Sequence, residues 1–225
     1  GPRARERFGL SGLPYSGACE QAAECLLELG DIQGALAMLD RGQRVADAAN
    51  HLYSQTVLAQ MRGHTLAVSG RAAEGIPILE ATVATCRERR FIGQHINALR
   101  HLGAAYVLVG RPEDAIAAVR ESIGLQERAG VRVVRSSQHA TLVAAYLALG
   151  DLERADAELG RAAALAEELG EQGCGAWIKL VEAELAAARG DRRAAEAALD
   201  EAQETAEALG MMTLLERCRA RLRAL

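Results

Sequence analysis

The sequence predicts an all-α fold of five helix pairs followed by one C-terminal helix. Good helix formers dominate it: Ala, Leu, Glu and Arg recur throughout, while aromatic residues make up 3% and only 4 of the 225 residues are Pro. Glycine recurs every 40 residues, at Gly30, Gly70, Gly110, Gly150 and Gly190. An internal repeat of this length is typical of stacked helical units.

A second set of helix-ending residues lies half a period from the first, at Asn50, Gly130, Gly170 and Gly210. Arg90 interrupts this set. Gly or Asn just past a helix end adopts a positive φ and allows the last carbonyls to be satisfied. Two sets half a period apart therefore predict two helices per repeat, each of roughly 15 to 18 residues.

The residues after the first set predict how the second helices begin. They are Asp31, Arg71, Arg111, Asp151 and Asp191. Asp suits an N-cap, whereas Arg does not, and Pro112 compensates in the third repeat because Pro fits the first turn of a helix. Pro77 falls inside the expected second helix of the second repeat, where an interior Pro costs about 3 kcal/mol. We therefore expect that helix to start late, near Glu74, or to be kinked.

Each predicted second helix carries a small residue, a large aliphatic residue four positions later and another small residue three further on. The first small positions are Ala35, Gly75, Ala115, Ala155 and Ala195, and the large ones are Leu39, Leu79, Val119, Leu159 and Leu199. These offsets lie on one helix face, and small residues allow close helix approach. The corresponding inward positions of the first helices are Ala23, Gly63, Gly103, Val143 and Ala183, followed three on by Leu26, Leu66, Tyr106, Tyr146 and Ala186.

The periodicity divides the chain into an N-terminal extension or linker, five repeats and a cap. The ranges are 1–12 for the extension, then 13–50, 51–90, 91–130, 131–170 and 171–210 for the repeats, and 211–225 for the C-terminal helix. The last segment carries an apolar stripe of Met211, Leu214, Leu215, Cys218, Leu222 and Leu225. A terminal helix needs one apolar face for the last repeat and one polar face for water. The alternative is packing against a following domain or a second copy.

These offsets of small and large residues resemble the tetratricopeptide repeat. The segments that resemble it most are "HLGAAYVLVGRPEDAIAAV" and "TLVAAYLALGDLERADAEL". The period is 40 rather than about 34 residues, and the family's Trp and closing Pro are missing. The resemblance implies a right-handed α-α superhelix, or solenoid, in which the first helices line a concave binding surface. The lengthened repeats resemble the C-terminal helical regions of bacterial class III nucleotide cyclases and maltose-activator-like LuxR regulators.

The sequence offers no catalytic motif, so we expect a protein that is not an enzyme and that needs no cofactor or metal ion. None of the five histidines forms an i, i+4 pair, although neighbouring repeats could bring His64 and His101 together. There is no phosphate-binding loop and no G-x-S-x-G motif. The five cysteines are scattered, without a C-x-x-C pair, and are expected to be small buried side chains.

Charge and hydropathy argue against two classes of partner. The formal net charge is −4 and the signs are interspersed, which does not favour direct nucleic-acid binding. No run of about 18 apolar residues predicts a membrane span, and no apolar signal core opens the chain, so the cytoplasm is the expected compartment.

The ligand-facing positions of the family select a candidate binding surface on the first helices. It comprises Gln60, His64, Asn97, Arg100, Ser137 and Trp177, with Glu20, Glu24 and Glu184 beside them. Asn97 and Arg100 together resemble a clamp for a peptide backbone or a terminal carboxylate. Trp177 is either an exposed anchor or buried between repeats, and Arg100 either meets a ligand or pairs with an acid.

The leading hypothesis is a scaffold that binds a protein or peptide in the concave groove, as the regulatory or sensory C-terminal module of a bacterial multidomain signalling protein. One alternative is a small-molecule inducer receptor, for which Tyr53, Trp177, Tyr106 and Tyr146 are the available aromatic platforms. The other alternative is a homodimerisation module.

Overall fold

The computed structural model describes residues 6–131 and 135–225, and its regular secondary structure over those ranges is helical. The helices are α1 (Pro14–Glu28), α2 (Ile32–Ala48), α3 (Leu52–Leu66), α4 (Ala72–Arg89), α5 (Ile92–Leu108), α6 (Pro112–Ala129), α7 (Arg135–Ala148), α8 (Leu152–Leu169), α9 (Gln172–Ala188), α10 (Arg192–Leu209) and α11 (Met212–Leu222). This confirms the predicted all-α fold of five helix pairs and a final helix. The odd-numbered helices from α1 to α9 are the first helices of the pairs.

The helices form two compact units, the first ending at Leu108 and the second beginning at Val109. In the first unit, α3 packs against both α1 and α5, so three first helices lie side by side. The helices α2 and α4 pack against their sequence neighbours. In the second unit, α7 packs against α6, α8 and α9, and α10 packs between α9 and α11. The layer of first helices therefore exists within each unit.

The turns follow the predicted period closely. All five glycines of the first set have a positive φ, between 70° and 83°. In the second set, Asn50 has a φ of 48° and the three glycines have values between 65° and 70°. Asp31, Asp151 and Asp191 each accept a hydrogen bond from the backbone N–H three residues on. They are N-caps, as the sequence predicts.

Arg90 adopts the same left-handed conformation as the other residues of the second set, with a φ of 57° at the end of α4. A non-glycine residue in this region costs roughly 1–2 kcal/mol. We expect Arg90→Gly to raise the free energy of unfolding by about 1 kcal/mol, because glycine adopts this conformation without steric strain. Arg89→Gly, one residue earlier and inside the helix, is the matched control and should lower stability. Thermal unfolding followed by circular dichroism measures both, and equal effects of the two variants would contradict the prediction.

The two helices of the second repeat are separated at a glycine, as in the other repeats. Residues Ala67–Arg71 join α3 to α4, and Gly70, with a φ of 83°, interrupts the helical conformation there. The helix α4 begins at Ala72 and continues through Pro77. The expected late start is therefore wrong, since this helix begins two residues after its glycine, as the other second helices do.

The small and large positions form the buried seams between helices. Ala35, Ala115, Ala155 and Ala195 are all fully buried, as are the large residues Leu39, Leu79 and Val119. Leu159 is the exception, because it is only partly buried at the edge of its cluster. Burying these apolar side chains supplies the favourable free energy that offsets the entropy of ordering the chain.

The helix α11 covers the end of the last pair. Leu214, Leu215 and Cys218 are buried in one cluster with residues of α9 and α10, and Leu222 and Leu225 pack against it. The guanidinium of Arg221 binds Glu184 of α9 at 2.8 Å, through Nε. The apolar stripe of α11 therefore packs on the last helix pair.

The cysteines agree only in part with the expectation of buried side chains. Cys19, Cys86 and Cys218 are buried and free, and burial raises the pKa of Cys86 to about 11. The prediction is wrong for Cys25, which is exposed on α1, and Cys174 is half-buried.

Among residues 6–131 and 135–225, no helix is both long enough and apolar enough to cross a membrane.

Candidate functional site

A row of polar residues crosses the layer of first helices in the first unit. Glu20, Gln60 and Arg100 are spaced 40 residues apart and occupy equivalent positions on α1, α3 and α5. Because these helices pack side by side, the repeat places an acid, an amide and a base in one row. We call these three residues, together with His64, Asn97 and His101, the first-helix face.

The centre of this face is a buried hydrogen-bonded histidine. Gln60 Nε2 lies 3.1 Å from Nδ1 of His101, and both side chains are about 2% exposed. The ring of His64 stacks on that of His101, with 4.0 Å between centroids and 13° between planes. Burial, and then the charges of Arg100 and His64, hold the pKa of His101 well below its usual range. His101 is therefore neutral at pH 7, and a single proton on one ring nitrogen sets how it pairs with Gln60.

The two ends of the row carry opposite charges. Burial raises the pKa of Glu20, a hydrogen bond from Gln21 lowers it, Glu24 raises it and Arg100 lowers it. Arg100, on α5, lies at the other end of the row from Glu20, on α1. The face therefore presents a half-buried acid and a half-buried base.

The predicted site residues occupy different environments. His64, Asn97 and Arg100 are half-buried on the first-helix face. The side chain of Asn97 makes no hydrogen bond within the part of the chain that the structure describes. Gln60 lies beneath this surface and supports His101, which sequence reasoning did not include in the site.

The other two predicted residues belong to the second unit. Ser137 is half-buried on α7. Trp177, on α9, packs against the cluster that α11 completes, and the guanidinium carbon of Arg217 lies 5.3 Å from its ring centroid. The indole is thus held between the apolar core and a cation, which is a stabilising arrangement.

The expected proximity of His64 and His101 is present, and their stacking is the result. Within the described ranges, no group of three or more His, Cys, Asp or Glu side chains is arranged to hold a metal ion. The two rings pack by stacking, and His101 is also hydrogen-bonded to Gln60.

The lowered pKa of His101 predicts that stability falls on acidification. The unfolded chain protonates His101 near its usual pKa of about 6.5, while the folded chain does not, so stability is lost as pH falls below that value. One such group contributes up to about 1.4 kcal/mol per pH unit. The raised pKa of Glu20 acts with the opposite sign, because that contribution is lost as pH rises through the folded value.

The measurement is urea unfolding between pH 7.5 and 5 for the parent and for His101→Gln. The difference between the two profiles reports the contribution of His101 together with its coupling to the stacked ring of His64. We expect the parent to lose more stability than the variant over this interval. Parallel profiles would contradict the assignment of a neutral, buried His101.

Neither protein-family models nor curated protein sequences yield a significant match to this chain. Solved structures do match it. "BtubC (BKLC)" from P. vanneervenii superimposes with a TM-score of 0.61 at 18% identity, over 83% of this chain and 78% of the other. The second match is a point variant of a Podosopora anserina kinesin light chain candidate with nearly identical TPR-like repeats. It superimposes with a TM-score of 0.59 at 17% identity, over 84% of this chain and 92% of the other. Another structure of the Podosopora anserina protein gives a TM-score of 0.57 at 18% identity, over 84% of this chain and 93% of the other.

These similarities show the fold, and the fold defines the class: this chain is a TPR-like helical-repeat protein. At 17–18% identity they carry no residue-level function to it.

Proposed function

We propose that this chain is a binding scaffold rather than an enzyme, and that it holds a protein or peptide ligand on the first-helix face of its first unit. The observation that carries the proposal is the row of Glu20, Gln60 and Arg100 on three adjacent first helices. Burying such groups without a partner is costly, so a polar row inside a helical layer needs a function or a network to account for it. Here the network is the Gln60–His101 pair, and the function is recognition.

The chemistry of the face favours an extended peptide with an acidic group. Arg100 supplies a guanidinium that binds a carboxylate through two parallel hydrogen bonds. Asn97 lies three residues earlier on the same helix, so its amide is adjacent to Arg100 and can pair with a peptide backbone. Glu20, at the other end of the row, gives the face a polarity that would orient a ligand.

The aromatic side chains argue against the alternative of a sugar-like inducer. Tyr106 and Tyr146 are buried, and their hydroxyls bond to Glu80 and Arg120. Tyr53 packs edge-on against Phe91, with 5.1 Å between the ring centroids. Each candidate platform is therefore already engaged within the protein. Stacking on a sugar requires an aromatic face that is open to the ligand.

The resemblance to bacterial cyclases and LuxR-type regulators suggests a setting for this binding. In that setting the chain is a regulatory or sensory module, in the cytoplasm, that ties the rest of a signalling protein to its partner. Capture experiments can test the binding function without knowledge of the rest of such a protein.

The test is affinity capture from a lysate of the source organism. Three baits are used: the parent chain, an Asn97→Ala/Arg100→Glu variant and an Arg44→Glu variant. Arg44 is exposed on α2, so its substitution makes the same charge change away from the first-helix face. All three baits must have the same circular-dichroism spectrum and unfolding temperature.

We expect one protein to be retained by the parent and by Arg44→Glu and lost by the double variant. Its binding segment, made as a peptide, should then bind the parent at least tenfold more tightly than the double variant, because a charge-assisted contact has been reversed. Equal retention by all baits, or retention by none, would rule out the first-helix face as the binding site.

A further inference from the structure

The second unit contains a cleft that is separate from the first-helix face and lies between first and second helices. It has a volume of about 590 Å³ and is lined by residues of α6, α7 and α8. Sites for small molecules usually have volumes of about 300–1,000 Å³. The cleft is therefore large enough for a metabolite-sized ligand.

One part of the cleft is apolar. Ile123 of α6, Leu142 of α7 and Leu165 of α8 line it. Gly124 of α6 also lines it, and its missing side chain leaves that wall recessed. Removing this apolar surface from water is favourable, so the cleft favours a ligand with an apolar body.

A buried, hydrogen-bonded pair of His139 and Glu158 lies among these apolar side chains. Nδ1 of His139 is 2.6 Å from Oε2 of Glu158, and the two residues are 8% and 5% exposed. Arg161 reaches the other oxygen of Glu158, with Nη1 2.8 Å from Oε1. Both carboxylate oxygens of Glu158 are thus engaged, and its charge is balanced within the protein.

Two further guanidinium groups retain unused hydrogen-bond donors. Arg120 donates to the Tyr146 hydroxyl at 2.6 Å and has no carboxylate partner among the described residues. Arg135 reaches Glu127 at 3.3 Å through Nη2, while its buried Nε has no acceptor within the described ranges. A buried donor without an acceptor costs free energy, which a bound anion would recover.

We propose that this cleft binds a small organic anion, a carboxylate or sulfonate attached to an apolar body. The acidic group lies between Arg120 and Arg135, and the apolar body lies against Ile123, Leu142 and Leu165. Three guanidiniums face two carboxylates in the lining, so the field favours an anion over a cation. This site uses different residues from the first-helix face, and either proposal can fail without the other.

The probe is anilinonaphthalene sulfonate, an aromatic sulfonate whose fluorescence rises in apolar sites, titrated into the full chain at neutral pH. Arg120→Gln/Arg135→Gln removes both guanidiniums that retain unused donors. Arg154→Gln/Arg189→Gln makes the same charge change on residues of the second unit that do not line the cleft. Arg154 also lies over the Tyr146 ring, so the control keeps the comparison close to the site.

We expect the parent and the control to bind one equivalent, and the cleft variant to bind at least tenfold more weakly. Gly124→Leu should abolish binding while leaving the helix intact, because a Cβ at this position meets only the end of the Arg128 side chain. Octanoate should displace the probe, and octanamide should not. Saturable binding that survives both the double variant and Gly124→Leu, absence of saturable binding to the parent, or equal displacement by octanoate and octanamide would each overturn the proposal.

Discussion

Gly75→Ala is expected to lower the stability of the first unit by about 2 kcal/mol or more, although alanine fills the same position in the other four repeats. A Cβ at this position would lie 2.4 Å from the carbonyl oxygen of Gly63 and 3.0 Å from the backbone nitrogen of Ala67. Both obstacles are backbone atoms of the segment that α4 crosses, so no side-chain rotation relieves the contact. The helices α3 and α4 would have to separate, which opens a gap beside the buried Leu79.

The structure and the repeat pattern predict opposite changes in stability for Gly75→Ala. Alanine favours a helix over glycine by about 1 kcal/mol, so propensity and the pattern together predict a gain. Gly17→Ala in α1 is the matched control, since its Cβ would meet nothing within 4 Å and only the gain remains. Urea unfolding followed by circular dichroism measures both variants. A Gly75→Ala protein as stable as the parent would show that the two helices can move apart without cost.

The helix boundaries were predictable because each end depends on a local residue. A glycine, or Asn50, marks nine of the ten helix-ending positions, and Asp31, Asp151 and Asp191 cap the helices that follow. Local rules sufficed where one residue determines one turn. They failed at Arg90, because the period of the repeat imposes a left-handed turn on a residue that disfavours it.

The close contact between α3 and α4 could not be predicted from the sequence. The pattern correctly placed small residues at Gly63 and Gly75, but it treated glycine and alanine as equivalent. Whether a methyl group fits depends on the distance between two backbones, and that distance is set by every residue along both helices. The late start expected from Pro77 was also wrong, since α4 begins at Ala72 and continues through this residue.

The sequence located the candidate residues on the first helices but not the hydrogen bonds among them. The family offsets select His64, Asn97 and Arg100, which are half-buried on α3 and α5, and their role in binding stays a prediction. Gln60 has the same repeat position as Arg100 yet is buried, because its amide turns toward His101, 41 residues further along the chain. The cleft of the second unit has no counterpart in the repeat pattern, since Arg120, Arg135 and Glu158 occupy unrelated positions of it.

The second large effect is expected at the buried pair of that cleft. His139→Leu should lower the stability of the second unit by about 3 kcal/mol, because it leaves the Glu158 carboxylate buried with Arg161 as its remaining partner. Glu158→Leu should cost less, roughly 1 to 2 kcal/mol, since it removes the buried carboxylate itself and leaves only the His139 ring without its partner.

Combining the two substitutions should restore most of the loss, because apolar side chains of similar volume replace a desolvated pair without leaving a charge behind. Urea unfolding of the parent, both single variants and the double variant gives the coupling free energy of the pair. Simple addition of the two losses would contradict this account and would assign the effects to packing. A double variant as stable as the parent would mean that the pair adds nothing to folding.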